Sequence, residues 1–290
     1  MTQNRVPTPE TRALRTAVTL NMNNAAPSIS ASHTRYLALA TLAVLCFALT
    51  LAGCAADDVE ATTTDALPVT GGSLTLASTL LDGAVEQHFV DANDASKTLT
   101  ISRGAPGSKP GDTWIVRRAA NGKPISEMTF IREDDGAVAL LKTLEFSDGV
   151  ATVFTPPLLV LPVRIQPGEA GRIERQLSMK VTELDSSGRD TGKAKTSGEG
   201  SVTLTYRGEV PVPESKQSGG GQAGRLLVSR LLLEPKPASV VTMTETWYGM
   251  PADGKRPTGV IAERQRTRVK VLGVKIKSSD SVWIAAPSPH

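Results

Sequence analysis

Leu177-Ser178-Met179-Lys180-Val181-Thr182 and, further on, Val202-Thr203-Leu204-Thr205-Tyr206-Arg207 alternate apolar and polar side chains without a break. Successive side chains of a strand point to opposite faces, so a period of two gives each segment one face to bury and one to wet. That is the pattern of an antiparallel sheet with one solvated side, and it decides the fold class. Between the two runs, residues 185–200 are rich in Gly, Ser, Lys and Asp and are expected to form a long mobile hairpin loop. Beyond them, residues 211–224 read as another loop, and residues 225–234 and 240–248 return to strand.

Towards the N-terminus the punctuation stays that of a β protein. Residues 97–102, 113–118, 126–133, 137–146 and 150–154 are short strand-like runs. Asn121-Gly122 and Asp134-Asp135-Gly136 fall between runs and suit hairpin turns, because Asn and Gly accept positive φ cheaply. Residues 155–171 break the pattern with Pro156, Pro157, Pro162 and Pro167. Proline cannot donate to a ladder, so an edge strand or irregular crossing is expected there, and residues 156–171 are the candidate boundary between two halves. Residues 73–90 fit a strand followed by a helix, weakened at Gly83. Near the C-terminus, Val269 and Val271 hold one parity while Leu272, Val274 and Ile276 hold the other, which suggests a β-bulge near Gly273. The last strand takes in Val282-Trp283-Ile284. The expected fold is mainly β: antiparallel sheet or sheets, as a half-barrel or two small sheets, with at most one or two short helices.

Ahead of this domain stands a different kind of segment. Residues 35–54 begin with Arg35, run uncharged and largely apolar, and close on Leu51-Ala52-Gly53-Cys54, the layout of a secretory signal with its cleavage site. The ending resembles the lipobox of bacterial lipoproteins. That resemblance implies a diacylglycerol on the Cys54 sulfur, cleavage just before Cys54, and acylation of the new amino group. A retained membrane-spanning helix is the alternative, but residues 36–53 number 18, the lower limit for a span. A start at Met22 would give a signal of 32 residues. The chain therefore divides into a leader and signal peptide (1–53), an acidic Thr-rich flexible tether (54–72) and a β domain (73–290). Ala55, not Asp, follows the cysteine; in proteobacterial lipoproteins this implies an outer-membrane location facing the periplasm.

Removing the leader changes the charge balance. The chain has 32 basic and 29 acidic residues; residues 1–53 hold four of the bases and one of the acids, which leaves 28 of each. A neutral domain gives no support to nucleic acid as a partner. Cys46 leaves with the signal and Cys54 is consumed by lipidation, so the remainder has no thiol for a disulfide, a zinc site or a nucleophile. His88 and His290 are the histidines beyond residue 53, and nothing near His88 has the spacing of a catalytic partner. No catalytic residues, metal or cofactor are expected. Gly219-Gly220-Gly221-Gln222-Ala223-Gly224 matches a dinucleotide fingerprint in letters, but a strand-like run follows it where the fingerprint needs a helix. Arg264, Arg266, Arg268 and Lys270 share one parity; on a strand they would line one face, either meeting an anionic surface such as lipid head groups or balanced by Glu245 and Glu263 on neighbouring strands.

Glu245-Thr246-Trp247-Tyr248 at a strand end, followed by Gly259-Val260, resembles a feature of LolA/LolB-like half-barrel envelope proteins, over the second half of the chain. The resemblance implies a half-barrel around an apolar concavity. The function expected is a membrane-anchored, non-enzymatic lipoprotein that binds a lipid or other apolar ligand. The alternative is a structural or interaction lipoprotein without a cavity, presenting its loops to an envelope protein partner.

Overall fold

The computed structural model describes residues 72–76, 79, 83–214, 223–249 and 259–286. They form fourteen strands: β1 (Leu74–Thr75), β2 (Val85–Asp91), β3 (Thr98–Arg103), β4 (Thr113–Ala120), β5 (Lys123–Arg132), β6 (Val138–Glu145), β7 (Val150–Leu161), β8 (Arg164–Ile165), β9 (Ile173–Leu184), β10 (Asp190–Pro211), β11 (Ala223–Pro235), β12 (Ala238–Tyr248), β13 (Val260–Val271) and β14 (Val274–Ala285). A 3-10 turn at Glu169–Gly171 precedes β9. The mainly β, antiparallel fold follows from the alternation, and the sheet closes fully.

Twelve strands make that closed barrel, each hydrogen-bonded to the next in chain order, with β7 joined to β9 and β14 returning to β2. The residues 156–171 run along the end of β7, through β8 and the 3-10 turn, and β7 and β9 on either side are neighbours in one sheet. The seam is narrow. β14 meets β2 only at Trp283↔Asp91, Ile284↔Val90 and Ala285↔Phe89, whereas its ladder with β13 runs from Ala262↔Ile284 to Val271↔Val274.

Antiparallel order gives the barrel two unlike ends. One carries the tight hairpins, including Asn121-Gly122 and Leu272-Gly273, with positive φ at all four residues, the geometry of a type I′ turn. The other carries the longer connections and the entry of the chain, and we call it the loop end. There β1 pairs with β8, Leu76 donates to the carbonyl of Val163, and Leu74 and Ile165 sink into the barrel core. This small two-stranded sheet stoppers the loop end.

A round barrel of twelve strands would be wider than side chains can fill, since about eight already give a filled interior. Here the interior is filled because the stopper occupies one end and opposite walls approach each other: Arg118 of β4 reaches Glu263 of β13. Inward side chains such as Phe154, Leu177, Met179, Val181, Val202, Leu204 and Leu233 form one continuous core. Each fully buried side chain of this size contributes about 1.5–3 kcal/mol. The outer wall carries charge along its length, with Arg117 paired to Glu127, Lys142 to Asp190, Lys193 to Glu183, Arg264 to Asp280 and Arg266 to Glu245. A lipid-facing barrel wall has an apolar band in that place.

Two expectations need correction. Residues 185–200 are not a long loop: β10 starts at Asp190 and runs 22 residues, leaving a short turn held by the Asp185 carboxylate, which accepts from the Ser187 and Arg189 amides. The parity change near Gly273 is a two-residue hairpin between β13 and β14, not a bulge; the register shift lies a few residues away, between Val269 and Lys270. Of residues 73–90, β1 and β2 stand among the described residues, and residues 77, 78 and 80–82, where a helix is expected between them, lie outside the described residues.

Candidate functional site

Inside the barrel, parity separates an apolar site from a polar belt. At the loop end β4 turns Trp114 and Val116 inward and β5 turns Phe130 inward; the Trp114 and Phe130 rings stack with centroids 5.9 Å apart and planes 16° from parallel. Together with Val138, Leu161, Tyr248 and Val260 they line a cavity of about 130 Å³. Its volume is close to that of the engineered apolar cavity of about 150 Å³ that takes up benzene. Thr79 and two longer polar side chains share the lining: Arg103 from β3, whose guanidinium also donates to the Gly83 carbonyl at 3.4 Å, and Gln87 from β2, whose amide donates to the Val260 carbonyl at 3.3 Å. Thr79 beside them donates its hydroxyl to the Leu76 carbonyl at 3.0 Å. Burial pushes the Tyr248 phenol well above its ordinary range, so it stays neutral. The site can hold one apolar group in its depth and meet an anionic or hydrogen-bonding head at Arg103 and Gln87. A larger depression of about 530 Å³ lies along β9 and β10, but it is open and flanked by Lys180, Lys195 and Glu199, with little to hold an apolar ligand.

One turn of the barrel further in, the lining becomes polar. Arg118, Ser126, Thr143, Glu145, Thr152, Thr242, Gln265 and Thr267 are all buried. Arg118 donates to Glu263 at 3.1 Å. Burial raises the Glu145 carboxyl to about 8, opposed by the nearby Arg118 charge. Thr242 and Thr267 share a hydroxyl hydrogen bond at 3.3 Å. The hydroxyls of Ser126, Thr143 and Thr152, on three adjacent strands, have no hydrogen-bond partner among the described residues. The belt stops the apolar site from extending through the barrel. Its sequence signal was parity: Arg118 shares the inward parity of Trp114 and Val116, and Ser126 that of Met128.

The residues singled out from sequence are placed as follows. Leu51, Ala52, Gly53 and Cys54 lie outside the described residues. Arg264, Arg266, Arg268 and Lys270 stand on the outer face of β13; Arg264 binds Asp280, and Arg266 donates to Glu245 at 3.0 Å and to the Met243 sulfur at 3.1 Å. Glu263 faces the other way, to Arg118. His88 is exposed on β2, 3.2 Å from Glu86 and 3.2 Å from the Thr100 hydroxyl. The glycine-rich run leads into β11, which begins at Ala223. Among the described residues no three of His, Cys, Asp and Glu are grouped to hold a metal ion, and no helix is long and apolar enough to cross a membrane. In comparisons with protein-family models, with curated proteins and with solved structures, none matches this chain.

Proposed function

We propose that this chain is an exported lipoprotein, anchored by acyl chains on Cys54, whose barrel takes up a small apolar ligand or the end of a lipid chain at its loop end. The observation that carries the reading is the cavity beside the stacked Trp114 and Phe130, with Arg103 in its lining. An acyl ligand with an anionic head suits that combination of apolar depth and cationic rim. The chain enters the barrel at this same end, with the flexible tether of residues 54–72 ahead of it. Several acyl chains on one residue make such an anchor stable. The residue after the lipidated cysteine, Ala55, favours the outer membrane, facing the periplasm.

The test is to purify the chain without residues 1–54 and identify what comes with it by mass spectrometry of the extracted lipids. A lipid present at about one per chain and displaced by a hydrophobic dye supports the reading; an empty barrel that binds no dye overturns it. An interaction role with no ligand is the second reading, favoured by the side-chain filling of the rest of the interior. An empty barrel joined to a defined envelope protein partner would establish it.

A further inference from the structure

The hairpin of β13 and β14 carries two costs at one residue. Leu272 occupies the first position of a type I′ turn at φ 50° and is 76% exposed. The matching turn at the same end of the barrel places Asn121 at φ 48°, the residue type that tolerates a left-handed backbone; a branched side chain does not. Leu272 is not alone. Val274 is 65% and Ile276 46% exposed, so three of the four exposed large hydrophobics among the described residues sit on this one tip.

The tip is bordered by β12 on one side, where Leu272 donates to the Pro237 carbonyl at 3.2 Å, and open on the other. β14 pairs with β2 only at residues 283–285, so from Val274 to Ser281 its ladder runs to β13 alone. Charge follows the same gradient. Residues 264–279 hold six bases, Arg264, Arg266, Arg268, Lys270, Lys275 and Lys277, and no acid. Arg264 and Arg266, nearer the body, are matched by Asp280 and Glu245. Arg268 and Lys270, nearer the tip, make no ion pair among the described residues. The Lys277 charge acts on the Asp148 carboxyl in the turn between β6 and β7, opposing the upward push of burial.

We propose that this tip docks on an anionic phospholipid bilayer, with Leu272, Val274 and Ile276 entering the interface and Arg268 and Lys270 meeting phosphate head groups. Apolar side chains ringed by cations are what such a surface selects, since burial and head-group attraction act together. A strained, exposed leucine at a turn is explained once its burial in lipid offsets both costs. The proposal is independent of the interior cavity.

The test uses the mature chain in vesicles whose lipids carry a quencher, with an environment-sensitive fluorophore on Leu272→Cys and, as reference, on Asn121→Cys. On vesicles containing phosphatidylglycerol the label at 272 should be shifted to the blue and quenched, while the label at 121 stays in water. Neutralising both cations, Arg268→Gln with Lys270→Gln, should lower the ratio of seated to free tips by roughly thirty-fold. A label at 272 that remains in water on anionic vesicles overturns the proposal, as does equal quenching on vesicles of phosphatidylcholine alone. A 272 label that is covered in cell envelopes but not on vesicles also overturns it, in favour of a protein partner.

Discussion

Arg118 on β4 and Glu263 on β13 meet at 3.1 Å across the barrel interior, although β14, β2 and β3 separate their strands around the wall. The Arg118 side chain is 5% exposed and that of Glu263 16%, so the pair staples opposite walls. Breaking a buried pair leaves one charge uncompensated, whereas replacing both members removes the desolvation cost as well. Arg118→Met should therefore lower the unfolding free energy by about 3–5 kcal/mol. The double variant Arg118→Met with Glu263→Leu should recover most of that loss in urea titrations.

Glu145 makes stability depend on pH in a defined direction. Its carboxyl titrates near 8 in the fold and at the ordinary 4.5 when unfolded. Below pH 4.5 both states hold the proton and no penalty arises. As pH rises from there towards 8 the unfolded chain gives up the proton while the folded chain keeps it, so this group lowers stability across that window. The loss is on the order of 4 kcal/mol by pH 8. Glu145→Gln should flatten the slope between pH 5 and 8 and be the more stable protein at pH 8.

Gly200 on β10 faces Leu233 of β11, and a Cβ there would come 2.4 Å from the Leu232 carbonyl oxygen. The backbone on both sides is held in a ladder and cannot yield. Gly200→Ala should cost about 1–3 kcal/mol in thermal or urea unfolding, while Gly149→Ala, in an open turn with φ 61°, should cost about 1 kcal/mol from backbone strain.

Cys54→Ser should leave an uncleaved precursor that takes up no labelled fatty acid, read by metabolic labelling and by the mass of the mature chain. Normal processing of the variant would refute the lipobox reading.

What the sequence shows and hides follows from physical range. Alternation is local, so β9 and the middle of β10 stand where Leu177-Met179-Val181 and Val202-Leu204-Tyr206 put them. Asn121-Gly122 was legible because its residue types match its backbone. Leu272-Gly273 adopts the same turn with a residue that propensity disfavours, and its parity change imitates a bulge. Residues 190–200 looked like loop because they are small and polar. They pair with β9, and from Gly198 onward with β11 as well, where Gly198 and Gly200 allow close approach of the strands. Pro156 and Pro157 fit inside β7 because its ladder with β6 is interrupted between Val153 and Leu158, and its ladder with β9 ends at Thr155. Barrel closure joins residues 89–91 to 283–285, and no local pattern carries that. Of the interior site, Trp114 and Phe130 were visible only as strand residues; their stacking and the cavity depend on which walls approach.

The most direct measurement of the cavity's role is a titration of the purified chain with a fatty acid brominated near its chain end, read by tryptophan fluorescence. A ligand seated beside Trp114 should quench that ring in a saturable manner at one ligand per chain, and Trp114→Phe should lose the effect while Trp247 and Trp283 still emit. Absence of saturable quenching, or quenching unchanged in Trp114→Phe, would contradict an apolar binding site at the loop end of the barrel.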